Sequence, residues 1–276
     1  MHPDHATHRA AVPDPWAPNG ESFGPQPQRG SGVRGRARSD PRVWCNHATG
    51  DRVNPLGRSR NEAPGSETVR EAIRGFYAVL DRDDEALARA LVSEARVLQV
   101  RIKPRGGGID TRDLVRVAQM ARRVCDEVGA ALIVNDRIDV ALAAGADGVH
   151  LGQTDLPIEE ARRISHGLWI GISTHNVPQV YAACAAGADY VGFGPVFPTA
   201  TKENPDPVQG LAGLAGAVAA AGERPVVAIG GITAVNVGDV YRTGVQALCA
   251  ISAVNHARDP RDTARQFGRS VSARVG

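Results

Sequence analysis

The sequence predicts an α/β fold, a closed (β/α)8 barrel, and three observations carry that expectation. From residue 67 onward, short β-branched runs alternate with Ala-, Arg- and Glu-rich segments of helical period. Eight such runs occur, each followed by a helical segment, and closing eight parallel strands into a barrel leaves no edge exposed. The length of 276 residues suits one barrel, which needs about 250 residues, better than two domains.

The strands are expected at Phe76 to Leu80, Val97 to Ile102, Ala131 to Val134, Gly148 to Leu151, Trp169 to Ile172, Tyr190 to Phe193, Val226 to Ile229 and Ala247 to Ile251. Helical patterns fall between and after them, near 83–94, 111–128, 137–144, 157–166, 176–186, 208–221, 233–243 and 260–270. The tetrapeptide Ala-Gly-Ala-Asp occurs at 144–147 and again at 186–189, each time between a helix and a strand, and Thr-Gly-Val-Gln at 243–246 follows the same plan. Gly145 and Gly187 suit a left-handed helix cap, so these are turns at the floor of the barrel and belong to folding rather than chemistry.

Residues 1–66 hold half of the 18 prolines together with Gly, Ser and many arginines, and they show no periodicity. They read as a disordered, passive Pro/Arg-rich tail, because such a composition buries too little apolar surface to order itself. Acidic residues in the tail (Asp4, Asp14, Glu21, Asp40, Asp51, Glu62) weaken any reading of it as a nucleic-acid arm or import signal. The barrel domain is placed at 67–276.

A formal net charge of +2 gives no electrostatic case for nucleic acid, so any site for a polyanion must be local. Cys45, Cys125, Cys184 and Cys249 lie far apart without CxxC spacing, which suggests neither a disulfide framework nor a zinc site. No apolar run approaches the roughly 18 residues needed to span a membrane, and a secretory core is lacking. A reducing, cytoplasmic setting is expected, and a homo-oligomer stays open.

In a barrel of this kind, chemistry collects on the loops that leave the C-terminal ends of the strands. After the second strand, Gln99, Arg101 and Lys103 alternate onto one side. Later loops supply Asn135 and Asp136, Gln153 and Asp155, then Ser173, Thr174 and His175. They continue with Thr199 to Lys202, Gly230-Gly231 and Ser252. Of 32 Lys and Arg residues only Lys103 and Lys202 are lysine, and both fall just past barrel strands, where a compact ammonium can meet phosphate oxygens. Asp136 and Asp155 end adjacent strands amid these cations, a mixture that suits Mg²⁺ bridging two acids to a pyrophosphate; the rival role for each is capping the following helix. Gly-Gly after strand seven and Ser252 after strand eight form a second phosphate site, built from backbone N–H groups. His175 has no visible carboxylate partner and is assigned to the helix start, and His150, in mid-strand, reads as a satisfied core residue.

Taken together these segments resemble the thiamine phosphate synthases. The resemblance rests on Gln-Val-Arg-Ile-Lys at 99–103, Asn-Asp-Arg-Ile-Asp-Val-Ala at 135–141 and Gly-Val-His-Leu-Gly-Gln at 148–153 with Asp155. Gly-Ile-Ser-Thr-His at 171–175, Gly-Pro-Val-Phe-Pro-Thr-Ala-Thr-Lys at 194–202 and Ala-Ile-Gly-Gly-Ile at 228–232 complete it. It implies condensation of a hydroxymethylpyrimidine pyrophosphate with a thiazole phosphate, plain or carboxylated, and release of pyrophosphate. Carried across, Gln99, Val100, Arg101, Ile102, Lys103, Asn135, Ser173 and Lys202 would hold the pyrimidine pyrophosphate, with Arg101, Lys103, Ser173 and Lys202 as the catalytic groups. Asp136 and Asp155 would bind Mg²⁺. Thr199, Ala200, Thr201, Gly231, Ile251 and Ser252 would hold the thiazole phosphate. Thiazole tautomerases share the fold, but an isomerase has no pyrophosphate to grip, so both lysines and both aspartates argue against one. A non-catalytic thiamine-phosphate-binding module would not need the two carboxylates.

Overall fold

The structure, a computed structural model, describes residues 66–103, 109–165, 167–199 and 206–272. The expected tail lies outside the described residues apart from Ser66, which opens a helix. Eight parallel strands pair in chain order and close into a barrel: β1 (Gly75–Leu80), β2 (Val97–Val100), β3 (Ala131–Asn135), β4 (Gly148–Leu151), β5 (Trp169–Thr174), β6 (Tyr190–Phe193), β7 (Val226–Ile229) and β8 (Ala247–Cys249). Closure is direct, with Gly75 and Phe76 of β1 in register with Ala247 and Leu248 of β8.

Alternation along the strands divides the apolar residues into two cores. Phe76, Ala78 and Leu80 of β1 face outward into a large shell shared with the helices, while Tyr77 and Val79 face the barrel interior. Two helices lie beyond the predicted set. The first, α1 (Ser66–Ala72), precedes β1, and its Val69 and Ala72, with Ile73 just after it, join the interior cluster and plug one end. The second, α9 (Ile251–Asn255), shows that β8 stops at Cys249 and that Ile251 begins a helical turn rather than ending a strand.

The outer helices fall where the pattern put them: α2 (Glu85–Val92), α3 (Thr111–Val128), α4 (Ile138–Ala144), α5 (Ile158–Ile164), α6 (Val177–Ala185), α7 (Gly210–Ala221), α8 (Val237–Arg242) and α10 (Pro260–Ser272). None is long and apolar enough to cross a membrane among the described residues.

The repeated turns do one job three times. Gly145, Gly187 and Gly244 take positive φ of 63°, 90° and 89°, and the residue that ends each tetrapeptide then reaches back to the start of the preceding strand. Asp147 Oδ2 accepts from Leu132 N–H at 2.8 Å, Asp189 Oδ2 from Ile170 N–H at 2.7 Å, and Gln246 Oε1 from Val226 N–H at 2.9 Å. Arg122 then pairs with Asp147 at 2.6 Å and Arg162 with Asp189. Each carboxylate at the floor thereby has a cation and an amide of its own.

Candidate active site

A cavity of about 890 Å³ opens at the C-terminal ends of the strands. Arg101 and Lys103 enter it from the loop after β2, Asn135 and Asp136 from the end of β3, and Asp155 from the loop after β4. Ser173 reaches it from β5, Thr199 from the loop after β6, and Gly231, Ile251 and Ser252 from the opposite rim. Gln99 faces inward but lies one layer deeper, 5% exposed. Val100 and Ile102 have their side chains in the outer apolar shell, as strand alternation requires, so any contact they make with a ligand runs through the backbone. Ala200, Thr201 and Lys202 lie outside the described residues.

The two mouth carboxylates are held close together. Asp136 is the one non-glycine residue among those described with a positive φ, 62°, a conformation that costs free energy and that a short polar side chain tolerates best. Its N–H donates to His150 O at 2.8 Å, and its Oδ2 is 3.0 Å from Lys103 Nζ. Asp155 turns its carboxylate back to accept from Gly152 N–H at 2.6 Å. Neither aspartate caps a helix: Arg137 stands at the cap of α4 and Pro157 at that of α5, both without a side-chain cap bond. Partial burial raises the Asp155 carboxyl above its ordinary range, and its hydrogen bond and charge contact with Asp136 raise it further, while Gly152 N–H and Lys103 oppose the shift. Two carboxylates held in contact attract a cation.

Loops six and seven form the other wall. Val196 N–H donates to Ile229 O at 2.9 Å and Phe197 N–H to Gly230 O at 3.0 Å. A Cβ on Gly231, whose φ is 63°, would stand 2.4 Å from Pro198 O, so the close approach demands glycine there.

His175 does have a carboxylate neighbour, contrary to expectation. Its Nδ1 donates to Gly194 O at 2.7 Å, and its Nε2 lies 3.4 Å from Asp206 Oδ2, with both residues lining the cavity. The separation of 31 positions hid the pair until barrel closure joined loops five and six. Asn176 caps α6 by accepting from Gln179 N–H at 2.9 Å. His150, buried as expected, bonds through both ring nitrogens, to Tyr190 and to Ser173. Alternation alone could have placed Tyr77 and Tyr190 inside with it.

A barrel with adjoining acids and cations on one side of its mouth, and a glycine turn with a helix start on the other, is an enzyme of the class that handles phosphorylated small molecules. Similarity narrows this. The model of the family described as thiamine monophosphate synthase matches residues 76–254. The thiamine-phosphate synthase of Methanoculleus marisnigri is 47% identical over 206 residues, 72% of this chain and 95% of that protein. That of Bacillus velezensis is 39% identical over 66% of this chain and 81% of its own. The solved thiamine phosphate pyrophosphorylase from Pyrococcus furiosus superposes with a TM-score of 0.67 at 37% identity, covering 75% of this chain and 99% of that one. A 3-hexulose-6-phosphate synthase at 16% identity and TM-score 0.53 shares the fold alone. The chain belongs to the thiamine monophosphate synthase family.

Proposed function

We propose that this chain is a transferase that joins 4-amino-2-methyl-5-hydroxymethylpyrimidine pyrophosphate to a thiazole phosphate, giving thiamine phosphate and pyrophosphate. The observation that carries the reading is the cluster of Asp136, Asp155 and Lys103 at the mouth of a barrel of this family. The donor set suits Mg²⁺: two hard carboxylates side by side leave the remaining positions to water and diphosphate oxygens, and among the described residues no group of three or more acidic, His or Cys side chains offers another metal a site. Asp136 and Asp155 would hold the ion, which when bound neutralises charge on the departing pyrophosphate.

The chain's own residues supply the rest. Arg101, Lys103 and Lys202 share the diphosphate charge, while Gln99, Asn135 and Ser173 orient the pyrimidine. Thr199, Gly231, Ile251 and Ser252 hold the thiazole phosphate against backbone N–H groups, with Ala200 and Thr201 in the same loop. Departure of pyrophosphate leaves a resonance-stabilised pyrimidine methylene cation, and the thiazole nitrogen adds to it. No protein nucleophile enters, so orientation and charge stabilisation are the enzyme's share. The substrates are small molecules handled in a cytoplasmic setting, a reading supported by the thiols of Cys125 and Cys249, which are free and buried.

The test is incubation of purified protein with both substrates and Mg²⁺, followed by assay of pyrophosphate and thiamine phosphate. Release of neither sinks the proposal. Interconversion of thiazole isomers without pyrophosphate release would point to a tautomerase instead.

A further inference from the structure

A single file of hydrogen bonds crosses the barrel interior beneath the cavity. Gln99 Nε2 donates to Tyr77 Oη at 3.2 Å, and the Tyr77 and Tyr190 hydroxyls lie 2.9 Å apart. Tyr190 Oη is 3.1 Å from His150 Nδ1, and His150 Nε2 is 2.9 Å from Ser173 Oγ. All but Ser173 are buried, and only Ser173 lines the cavity.

The barrel wall is cut to admit this file. A Cβ on Gly171 would stand 2.1 Å from Tyr190 Cζ, and one on Gly192 would stand 3.2 Å from His150 Cε1. At 171 any side chain would collide with the Tyr190 ring, so the wall is thinned where the two rings pass.

Donor and acceptor chemistry gives the file a direction. The Gln99 amide nitrogen only donates, so Tyr77 oxygen accepts and its one proton passes to Tyr190. Tyr190 then donates its own proton to His150 Nδ1, which places the imidazole hydrogen on Nε2, facing Ser173. Ser173 oxygen accepts that hydrogen and keeps its own proton for the cavity. The reverse sense would aim the Tyr77 proton at an amide nitrogen with no acceptor, a cost that a buried site does not repay. Burial first, and then the charge of Arg101, push the His150 ring down to about 4, against a smaller opposing pull from Asp155, so it stays neutral. Burial likewise raises both phenols, which keep their protons.

We infer that His150 is a positioning residue: held by Tyr190 as the neutral Nε2–H tautomer, it makes the Ser173 hydroxyl a hydrogen-bond donor to the ligand. The atom Ser173 meets is therefore an acceptor, a ring nitrogen or a phosphate oxygen, and not an amino group. This rests on the proposal that Ser173 touches the pyrimidine substrate.

Side-chain nitrogen NMR of the full chain tests the tautomer directly, with the His150 signal assigned by its loss in His150→Gln. A neutral Nε2–H ring between pH 6 and 8 is expected; an Nδ1–H ring or an imidazolium overturns the inference. Tyr190→Phe keeps the ring but removes the donor to Nδ1, and a mixed tautomer population should follow; an unchanged Nε2–H ring would show that Tyr190 does not set it. In kinetics, His150→Phe should raise KM for the pyrimidine pyrophosphate about tenfold while leaving KM for the thiazole phosphate alone. His150→Gln, which returns an N–H toward Ser173, should recover most of the loss. Equal rises in both KM values would mark a general packing role and overturn the idea. With Ser173→Ala in the background, His150→Phe should add nothing further; additive losses count against coupling. If Ser173→Ala alone has no effect on the pyrimidine substrate, the contact reading fails, whatever the NMR result for the tautomer.

Discussion

The two ends of this barrel use the same residue, aspartate, in opposite ways. At the floor, Asp147 is paired with Arg122 at 2.6 Å and accepts Leu132 N–H at 2.8 Å, with both side chains nearly buried; Asp189 repeats the arrangement with Arg162 and Ile170 N–H. At the mouth, Asp136 and Asp155 face each other with Lys103 beside them, one on a strained backbone and the other with its proton held too tightly. A carboxylate answered by its own cation and amide fastens the fold. Two carboxylates in contact at the mouth of a cavity, with one lysine beside them, suit a bound cation.

The comparison can be broken in several places. Asp155→Asn should lower pyrophosphate release about 10³-fold, since it removes the charge of one of the two carboxylates proposed to hold Mg²⁺ but keeps an oxygen for Gly152 N–H. The same change should raise the melting point of the ligand-free protein at pH 7 by about 1–3 °C, as expected for relief of a partly exposed like-charge contact. The sign follows from linkage: a folded-state carboxyl pKa above its unfolded value favours the folded chain at low pH and costs stability as pH rises through it. Magnesium affinity should run the other way, falling as pH drops through the same window, and calorimetry should find that slope lost in Asp155→Asn. A substitution that left activity intact would place the mouth acids with those of the floor.

Smaller effects belong to the floor. A chain that starts at Ser66 should keep wild-type turnover, whereas one that starts at Gly75 should lose about 4 kcal/mol in urea unfolding, because Val69 and Ile73 no longer plug the interior. Asp147→Ala should cost about 2 kcal/mol, because Arg122 loses its buried partner but keeps Asp126, with kcat per folded molecule unchanged; a drop in kcat would show that the two ends are coupled. Gln246→Ala, which removes a neutral acceptor from Val226 N–H, should cost only about 1 kcal/mol.

Much of this was legible beforehand, and what escaped follows a rule. The helix at 111–128 was placed to the residue, because 18 positions are enough for a period to stand out. Helix α1 opens at Ser66 beside the Pro/Arg-rich tail and α9 at Ile251 within the run assigned to β8, so neither stood apart from its neighbours. The repeated Ala-Gly-Ala-Asp turn could be assigned to folding from its place between helix and strand, but that its last residue caps the preceding strand could not. His175 looked solitary, since Asp206 comes near it only through the barrel.

Local sequence by itself determined the strands, the long helices, the glycine turns and the loops that would carry polar groups, because each depends on side-chain period or backbone freedom within a few residues. Only the tertiary structure decided which groups meet: the two acids at the mouth, the histidine with its distant aspartate, and the file from Gln99 to Ser173. Those contacts join strands and loops dozens of residues apart, and nothing in a local pattern encodes which partner will lie opposite once the sheet closes on itself.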